Sequence, residues 1–181
     1  MPTIRYLTRG LIDGALSTLG IVLGATLSGD VKVIIAASLG GGIANALSNI
    51  LGAMTAERAA VMLEFGEYDK AMVGRTKDLK DTTIYERARA KIYRGGLIDG
   101  LGTFLGALVP VIPFFFMFAG FGIDTLVLAS IASTVGLLFV LGLYLGKLSK
   151  ENIMWAGAKM ALFGLATAVV AMGIERLFRG F

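Results

Sequence analysis

The chain contains no cysteine and no histidine, and these absences exclude several kinds of chemistry. Disulfides, thiol nucleophiles, histidine bases and the usual ligands of zinc and haem are all missing. A metal ion could be bound only by carboxylate, amide, hydroxyl or carbonyl oxygen, or by methionine sulfur. Such ligands suit Mn²⁺, Fe²⁺, Mg²⁺ or Ca²⁺. No bound cofactor is expected from the sequence.

Charged residues are also scarce, at 17% of 181 residues. A soluble domain carries about a quarter. The hydrophobic fraction is 56%, and the mean hydropathy is +0.77. Nine of the 17 basic residues lie within 55–94, so the net charge of +4 reflects how charge is distributed along the chain. No basic–aromatic module accompanies them, so we expect no nucleic-acid partner. The composition predicts a protein whose partner is the lipid bilayer.

Five apolar segments are long enough to cross a bilayer, which takes about 20 helical residues. They lie at 10–28, 31–54, 96–118, 123–146 and 152–174. We therefore predict an all-α membrane protein, with 1–181 as a single transmembrane domain. Most Lys and Arg residues fall on one side of the membrane, at the N-terminus, in 55–94 and at the end of the fourth span. This asymmetry predicts a cytoplasmic N-terminus and an external C-terminus in the cell membrane. Residues 55–94 would form a short cytoplasmic insert, in which the second span continues and a further helix starts at Thr83.

A short motif occurs twice, 86 residues apart, with an aspartate inside each apolar stretch. It reads Leu11-Ile12-Asp13-Gly14 and then Leu97-Ile98-Asp99-Gly100. The recurrence predicts an internal parallel repeat of helices 1–2 and 3–4. Carboxylates at membrane depth usually face the protein interior and serve an ion or proton path.

Other oxygen-bearing side chains accompany the aspartates at helical spacing. Ser17 and Thr103 each follow an aspartate by four residues, and Asn45 and Asn49 lie one turn apart in the second span. Oxygen ligands on adjacent turns can replace part of a cation's hydration shell. Structural roles stay open: the amides could bond between helices, and each aspartate could cap a helix or pair with an arginine. Arg94 lies five residues before Asp99.

The insert offers a second group of candidate metal ligands. Glu57, Glu64 and Glu67 fall roughly on one helical face, with Met54 close by. Carboxylates and thioether sulfur could hold Fe²⁺ or Mn²⁺ weakly, although a solvated charged face is the alternative. In the third span, Pro110 and Pro113 predict a bend that either frees carbonyls for an ion or shapes the packing.

Glycine is abundant, with 25 residues, many spaced by four. Small residues let membrane helices approach closely. The face formed by Gly10, Gly14, Gly20 and Gly24 favours a homodimer with the first helices at its interface, although packing within one subunit is the alternative for any single pair.

The Asp13 motif followed by Ser17-Thr18-Leu19-Gly20, and the stretch from Asp99-Gly100 to Gly106-Ala107-Leu108-Val109-Pro110-Val111-Ile112-Pro113-Phe114, resemble the vacuolar iron transporter family. The resemblance covers nearly the whole chain. It implies a homodimer whose first helices line a pathway, Asp13 as the pathway aspartate, and export of Fe²⁺ or Mn²⁺ against incoming protons. The chain departs from the family in its short, basic insert, and it has Gly41 and Asn49 where family members have glutamate and methionine.

These observations predict a transporter of divalent cations, coupled to protons, and not an enzyme. Asp13 would be required for the ion, while Asp99 would matter more for architecture. The alternative is a non-transporting membrane scaffold or assembly protein with structural aspartates. An intramembrane enzyme is disfavoured because no nucleophile–base constellation is visible, although Ser17 lies near Asp13.

Overall fold

The computed structural model describes residues 2–71 and 83–180, which form five long helices. The helices are α1 Pro2–Ala25, α2 Val31–Ala71, α3 Thr83–Val111, α4 Ile123–Ser149 and α5 Ile153–Arg179. Two 3-10 segments, Thr26–Ser28 and Ile112–Ala119, follow α1 and α3. The described residues contain no strand. The all-α fold class is therefore confirmed.

All five helices are long and apolar enough to cross a membrane, as the sequence predicts. The second helix does continue well past its apolar part, and α3 begins at Thr83 as expected. A turn predicted around Gly74 lies outside the described residues. Most large apolar side chains on the outer faces are exposed, including Leu128, Phe163 and Val169 at 67–70%. Such surfaces suit lipid, and the protein is an integral membrane protein.

Short turns reverse the chain between most spans. Gly29 and Gly120 close two of them in the left-handed conformation, at φ 66° and 84°, where a Cβ would be strained. Asn152 caps α5, because its side chain accepts a hydrogen bond from the Trp155 amide at 3.2 Å. These turns give the helices alternating directions, so α1, α3 and α5 begin at one end of the bundle.

The closest helix pair is α1 with α3, which run parallel in backbone-to-backbone contact. A Cβ on Gly10 would overlap the carbonyl oxygen of Asp99, and one on Gly14 would overlap that of Thr103. Glycines of α3 approach α1 in the same way, since a Cβ on Gly106 would overlap the carbonyl oxygen of Leu11. Any larger residue at these positions would separate the helices, so the glycines determine the contact.

The same contacts correct one expectation about the glycines of α1. Gly10 and Gly14 are buried inside the subunit against α3 and so cannot contribute to a dimer interface. Gly20 and Gly24 differ, because a Cβ at either position would meet nothing within 4 Å. Only the second half of the predicted small-residue face is open.

The internal repeat is not confirmed by the packing. Gly10 and Gly14 contact α3, whereas their sequence counterparts Gly96 and Gly100 contact Met54 and Ile50 of α2. Equivalent motif positions therefore meet different partners. Helix α2 packs antiparallel on α3, and α4 pairs with α5 through Gly142 against Ala156 and Gly157.

The two prolines of the third span shape the packing near the end of α3. Proline has no amide hydrogen, so Pro113 leaves the Val109 carbonyl without its helical donor. Ser133 donates to that carbonyl at 3.4 Å, and Ser130 donates to the Pro110 carbonyl at 2.7 Å. Hydroxyls of α4 thus satisfy carbonyls near the bend, which favours packing over ion binding there. Phe114 follows, fully buried against Val22 and Ile34.

Candidate functional site

Five of the predicted site residues meet in one polar cluster between α1, α2 and α3. We call it the carboxamide cluster, and it consists of Asp13, Ser17, Asn45, Asn49 and Thr103. The close α1–α3 contact brings Thr103 towards the Asp13 face, and α2 crosses both helices with its two asparagines. Asp13 is partly buried, and Thr103 has no exposed surface.

Asp13 is the acceptor at the centre of the cluster. Its Oδ2 accepts hydrogen bonds from Asn45 Nδ2 at 2.9 Å and from Asn49 Nδ2 at 2.7 Å. Its Oδ1 accepts none from any described residue. The aspartate charge is therefore stabilised by neutral amide donors, and one oxygen is left for another ligand.

The hydroxyls extend the network to the backbone. Asn45 Nδ2 also donates to Ser17 Oγ at 2.8 Å, and Asn49 Nδ2 donates to Thr103 Oγ1 at 2.8 Å. Each hydroxyl in turn donates to the carbonyl four residues earlier, Asp13 for Ser17 and Asp99 for Thr103. Both asparagine amides are thus held between a carboxylate and a hydroxyl. Linked hydrogen bonds of this kind fix the orientation of the side chains that take part in them.

Asp99 lies in a different environment from Asp13 and pairs with an arginine. It is fully buried and forms a bidentate ion pair with Arg9 of α1, whose Nε donates to Oδ1 at 3.0 Å and whose Nη2 contacts Oδ2. Of the alternatives left open by the sequence, pairing with an arginine is therefore the one observed, and the arginine is Arg9 of α1 rather than Arg94 of the same helix. The glycine contact explains this, since it brings the α1 backbone against α3 at Asp99.

Arg9 also belongs to this site, although the sequence analysis did not predict it. It is 58% exposed along its side chain and also lies near enough to Asp13 to interact electrostatically. A signal was available, because Arg9 precedes Asp13 by one helical turn and must share its face.

The candidate ligands in the 55–94 segment do not gather into a metal site. Glu57 lies between two cations, with Arg5 at 3.9 Å and Lys91 at 3.7 Å. Glu64 is exposed, and Met54 packs on Gly96 away from the carboxamide cluster. The side chain of Glu67 lies outside the described residues. Within the described part of the chain, no three acidic residues come together to hold an ion.

Five apolar helices, with the carboxamide cluster between the first three of them, define an integral membrane protein with a polar site inside its helix bundle. The chain belongs to the VIT family, which matches residues 56–176. The match includes Asp99 and Thr103 but not Asp13, Ser17, Asn45 or Asn49. Family membership indicates membrane transport of a metal ion, and at that level the protein is a transporter and not an enzyme.

One relative is similar to this protein over nearly the whole chain. The chain is 48% identical over 174 residues to the uncharacterized protein MJ0645 of Methanocaldococcus jannaschii. The alignment covers 96% of this chain and 89% of that protein. The similarity therefore extends over α1 and α2 as well as the part that the family match covers.

Proposed function

We propose that this protein exports a divalent metal cation, Fe²⁺ or Mn²⁺, from the cytoplasm in exchange for protons. The observation that carries the proposal is the Asp13 carboxylate, with one oxygen unused, surrounded by neutral oxygen-bearing side chains from three helices. Such a site offers a cation one negative ligand and several neutral ones inside an apolar bundle.

The asparagines would change role when the ion arrives. Their amide nitrogens donate to Asp13 in the structure. A half-turn of each carboxamide exchanges nitrogen for oxygen and presents a carbonyl ligand instead. With Asp13 Oδ1, Ser17 and Thr103, these groups form an oxygen set, and oxygen ligands of this kind suit Mn²⁺ well.

Charge balance gives a reason for proton coupling. Asp13 and Asp99 are negative and Arg9 is positive, so the three groups together carry one net negative charge. A divalent cation changes this to one net positive charge, and a proton on Asp13 makes it neutral. Because metal binding needs the deprotonated carboxylate, a proton and a metal ion compete for Asp13. Competition at one group couples the two fluxes.

The proposed assembly is a homodimer that meets along the second half of α1. Gly20 and Gly24 open onto a groove whose other side is formed by α5 residues, including Phe163, Thr167 and Val170. Cysteines at Gly20 and Gly24 should crosslink efficiently in membranes. A cysteine at Leu128, an exposed position of α4, is the control. Equal crosslinking at all three positions, or a monomer by mass in bilayers, would count against this interface.

The proposed orientation places the N-terminus and the 55–94 segment in the cytoplasm and the C-terminus outside. Single cysteines at Lys77 and Arg179 should react with an impermeant reagent from opposite sides of the membrane. Reaction of both from the same side would contradict the topology.

Transport itself is tested in proteoliposomes with a pH-sensitive dye inside, comparing Fe²⁺, Mn²⁺, Mg²⁺ and Ca²⁺. We expect Fe²⁺ or Mn²⁺ flux accompanied by opposite proton movement, abolished in Asp13→Asn. A folded protein that moves none of the four ions would favour the scaffold alternative. Metal flux without any pH change would remove proton coupling but retain transport.

A further inference from the structure

A groove with a volume of about 270 Å³ lies at the end of the bundle where α1 and α3 begin. Tyr6 of α1 forms one wall, and Arg87, Lys91, Arg94 and Gly95 of α3 form the other. None of these residues belongs to the carboxamide cluster. The groove therefore needs an explanation of its own.

The hydroxyl of Tyr6 has no hydrogen-bond partner among the described residues. Tyr6 is 4% exposed, and its hydroxyl is buried and unsatisfied. The ring lies against Gly95, where an added Cβ would sit 3.1 Å from it. Leaving a buried donor unpaired destabilises the protein, because the group loses its hydrogen bonds to water and gains none in return. A buried phenol that lines a groove and lacks a partner points to a ligand that accepts its hydrogen bond.

The opposite wall carries unpaired positive charge. Arg87, Lys91 and Arg94 are four and three residues apart, so they share one face of α3. Lys91 pairs with Glu57 at 3.7 Å, and Glu57 also has Arg5 at 3.9 Å. Arg87 and Arg94 form no ion pair and no hydrogen bond with any residue that the structure describes. Two free guanidinium groups beside a free hydroxyl suit a phosphate, which arginine binds through paired hydrogen bonds.

The depth of the groove identifies the source of the phosphate. The apolar part of α3 starts directly after Arg94, and Asp99 is its only charged residue up to Ala119. A helix rises 1.5 Å per residue, so Arg87 lies about 10 Å further out than Arg94. The headgroup layer is about 5–8 Å thick on each side of the hydrocarbon. The arginines therefore cover the depth at which lipid phosphates lie.

We propose that this groove binds the phosphate of an anionic phospholipid. Tyr6, Arg87 and Arg94 donate to the phosphate oxygens, while Ile98 contacts the apolar part of the same lipid. Basic pockets between membrane helices bind anionic headgroups by the same physics. The site would place a specific lipid against the α1–α3 contact on which the fold depends.

The test measures lipid binding to the full-length protein in mild detergent by native mass spectrometry. Phosphatidylglycerol and phosphatidylcholine are the two probes, and phosphatidylglycerol should bind preferentially. The double variant Arg87→Gln/Arg94→Gln should weaken its binding about 30-fold, since each basic residue near an anionic surface contributes about 1 kcal/mol. The matched control Lys147→Gln/Lys150→Gln removes two charges from the same end and should change binding by no more than about twofold because of screening.

A second variant tests the hydroxyl alone. Tyr6→Phe keeps the ring against Gly95 and should lower phosphatidylglycerol affinity at least about tenfold, as expected for one hydrogen bond to a charged group. Thermal unfolding of each variant confirms that it is folded.

Three results would overturn the proposal. One is equal binding of the two lipids, and another is an equal loss in the lysine control. The third is displacement of phosphatidylglycerol by inorganic phosphate, which would make the groove a site for free phosphate instead of lipid.

Discussion

Asp13 and Asp99 occupy equivalent positions of the two sequence motifs, yet their burial and their hydrogen-bond partners differ. Asp13 is partly buried, accepts hydrogen bonds only from neutral amides of α2, and keeps one oxygen unpaired by described residues. Asp99 is fully buried, and both of its oxygens contact one arginine of α1. Among the residues that the structure describes, only the second carboxylate forms an ion pair with a cationic side chain of the protein.

The difference arises from what surrounds each aspartate. Helix α1 contacts α3 through Gly10 and Gly14, and that contact brings Arg9 to Asp99. The equivalent glycines after the insert, Gly96 and Gly100, face α2, and position 95 holds glycine where position 9 holds arginine. The same motif therefore gives one aspartate that forms an ion pair between α1 and α3, and one aspartate that has no ion-pair partner at hydrogen-bonding distance among the described residues.

The largest expected effect is at Asp13. Asp13→Asn keeps the shape of the side chain but removes the charge that attracts the cation, so metal flux in proteoliposomes should fall to background in a folded protein. Asp124→Asn, an exposed aspartate on α4, serves as the control and should transport normally. Wild-type flux in Asp13→Asn across the pH range would refute the mechanism.

The second largest effect is expected at the glycine contact between α1 and α3, which gives Asp13 and Asp99 their different surroundings. Gly14→Ala places a Cβ on the Thr103 carbonyl, and overpacking against backbone should destabilise the protein by about 3 kcal/mol. Thermal unfolding in detergent measures it. Gly52→Ala on α2, where a Cβ meets nothing within 4 Å, should be neutral or stabilising by up to about 1 kcal/mol. Similar unfolding temperatures for the two variants would show that the α1–α3 contact is not rigid.

The Arg9–Asp99 ion pair is tested by a double-mutant cycle. Arg9→Gln leaves Asp99 buried and unpaired, which should destabilise the protein by about 3 kcal/mol. Adding Asp99→Asn should recover most of that loss, because no charge is then left without a partner. Arg5→Gln is the control, since Arg5 is 78% exposed and pairs at 3.9 Å, and it should have little effect. Additive losses in the double variant would mean that the pair does not couple α1 to α3.

The smallest effect is expected in the 55–94 segment. Replacing Glu57, Glu64 and Glu67 together by Gln should raise the metal concentration for half-maximal flux about two- to fivefold, because charges outside the carboxamide cluster attract an approaching cation only weakly through a screening solvent. Maximal flux should stay largely intact. Glu86→Gln, exposed on the same segment, is the control. Complete loss of flux in a folded triple variant would move the translocation site into this segment.

Much of the fold follows from the sequence because a membrane span depends only on the length and hydrophobicity of one continuous segment. Apolar length and the scarcity of charge predict five spans, and the structure confirms all five together with the long second helix and the start of α3 at Thr83. The candidate site was less predictable. Asp13, Ser17, Asn45, Asn49 and Thr103 do come together, whereas Met54 and the described glutamates lie elsewhere.

The sequence by itself determined the membrane class, the number of helices and which polar residues share a helical face, since each depends on local spacing and composition. Only the tertiary structure decided which faces meet. Gly10 and Gly14 bury against α3 while Gly20 and Gly24 stay open, and Asp99 pairs with Arg9 instead of Arg94. These outcomes depend on the relative depth and rotation of α1, α2 and α3. Backbone contact at a few glycines sets both, and no pattern along a single helix records them.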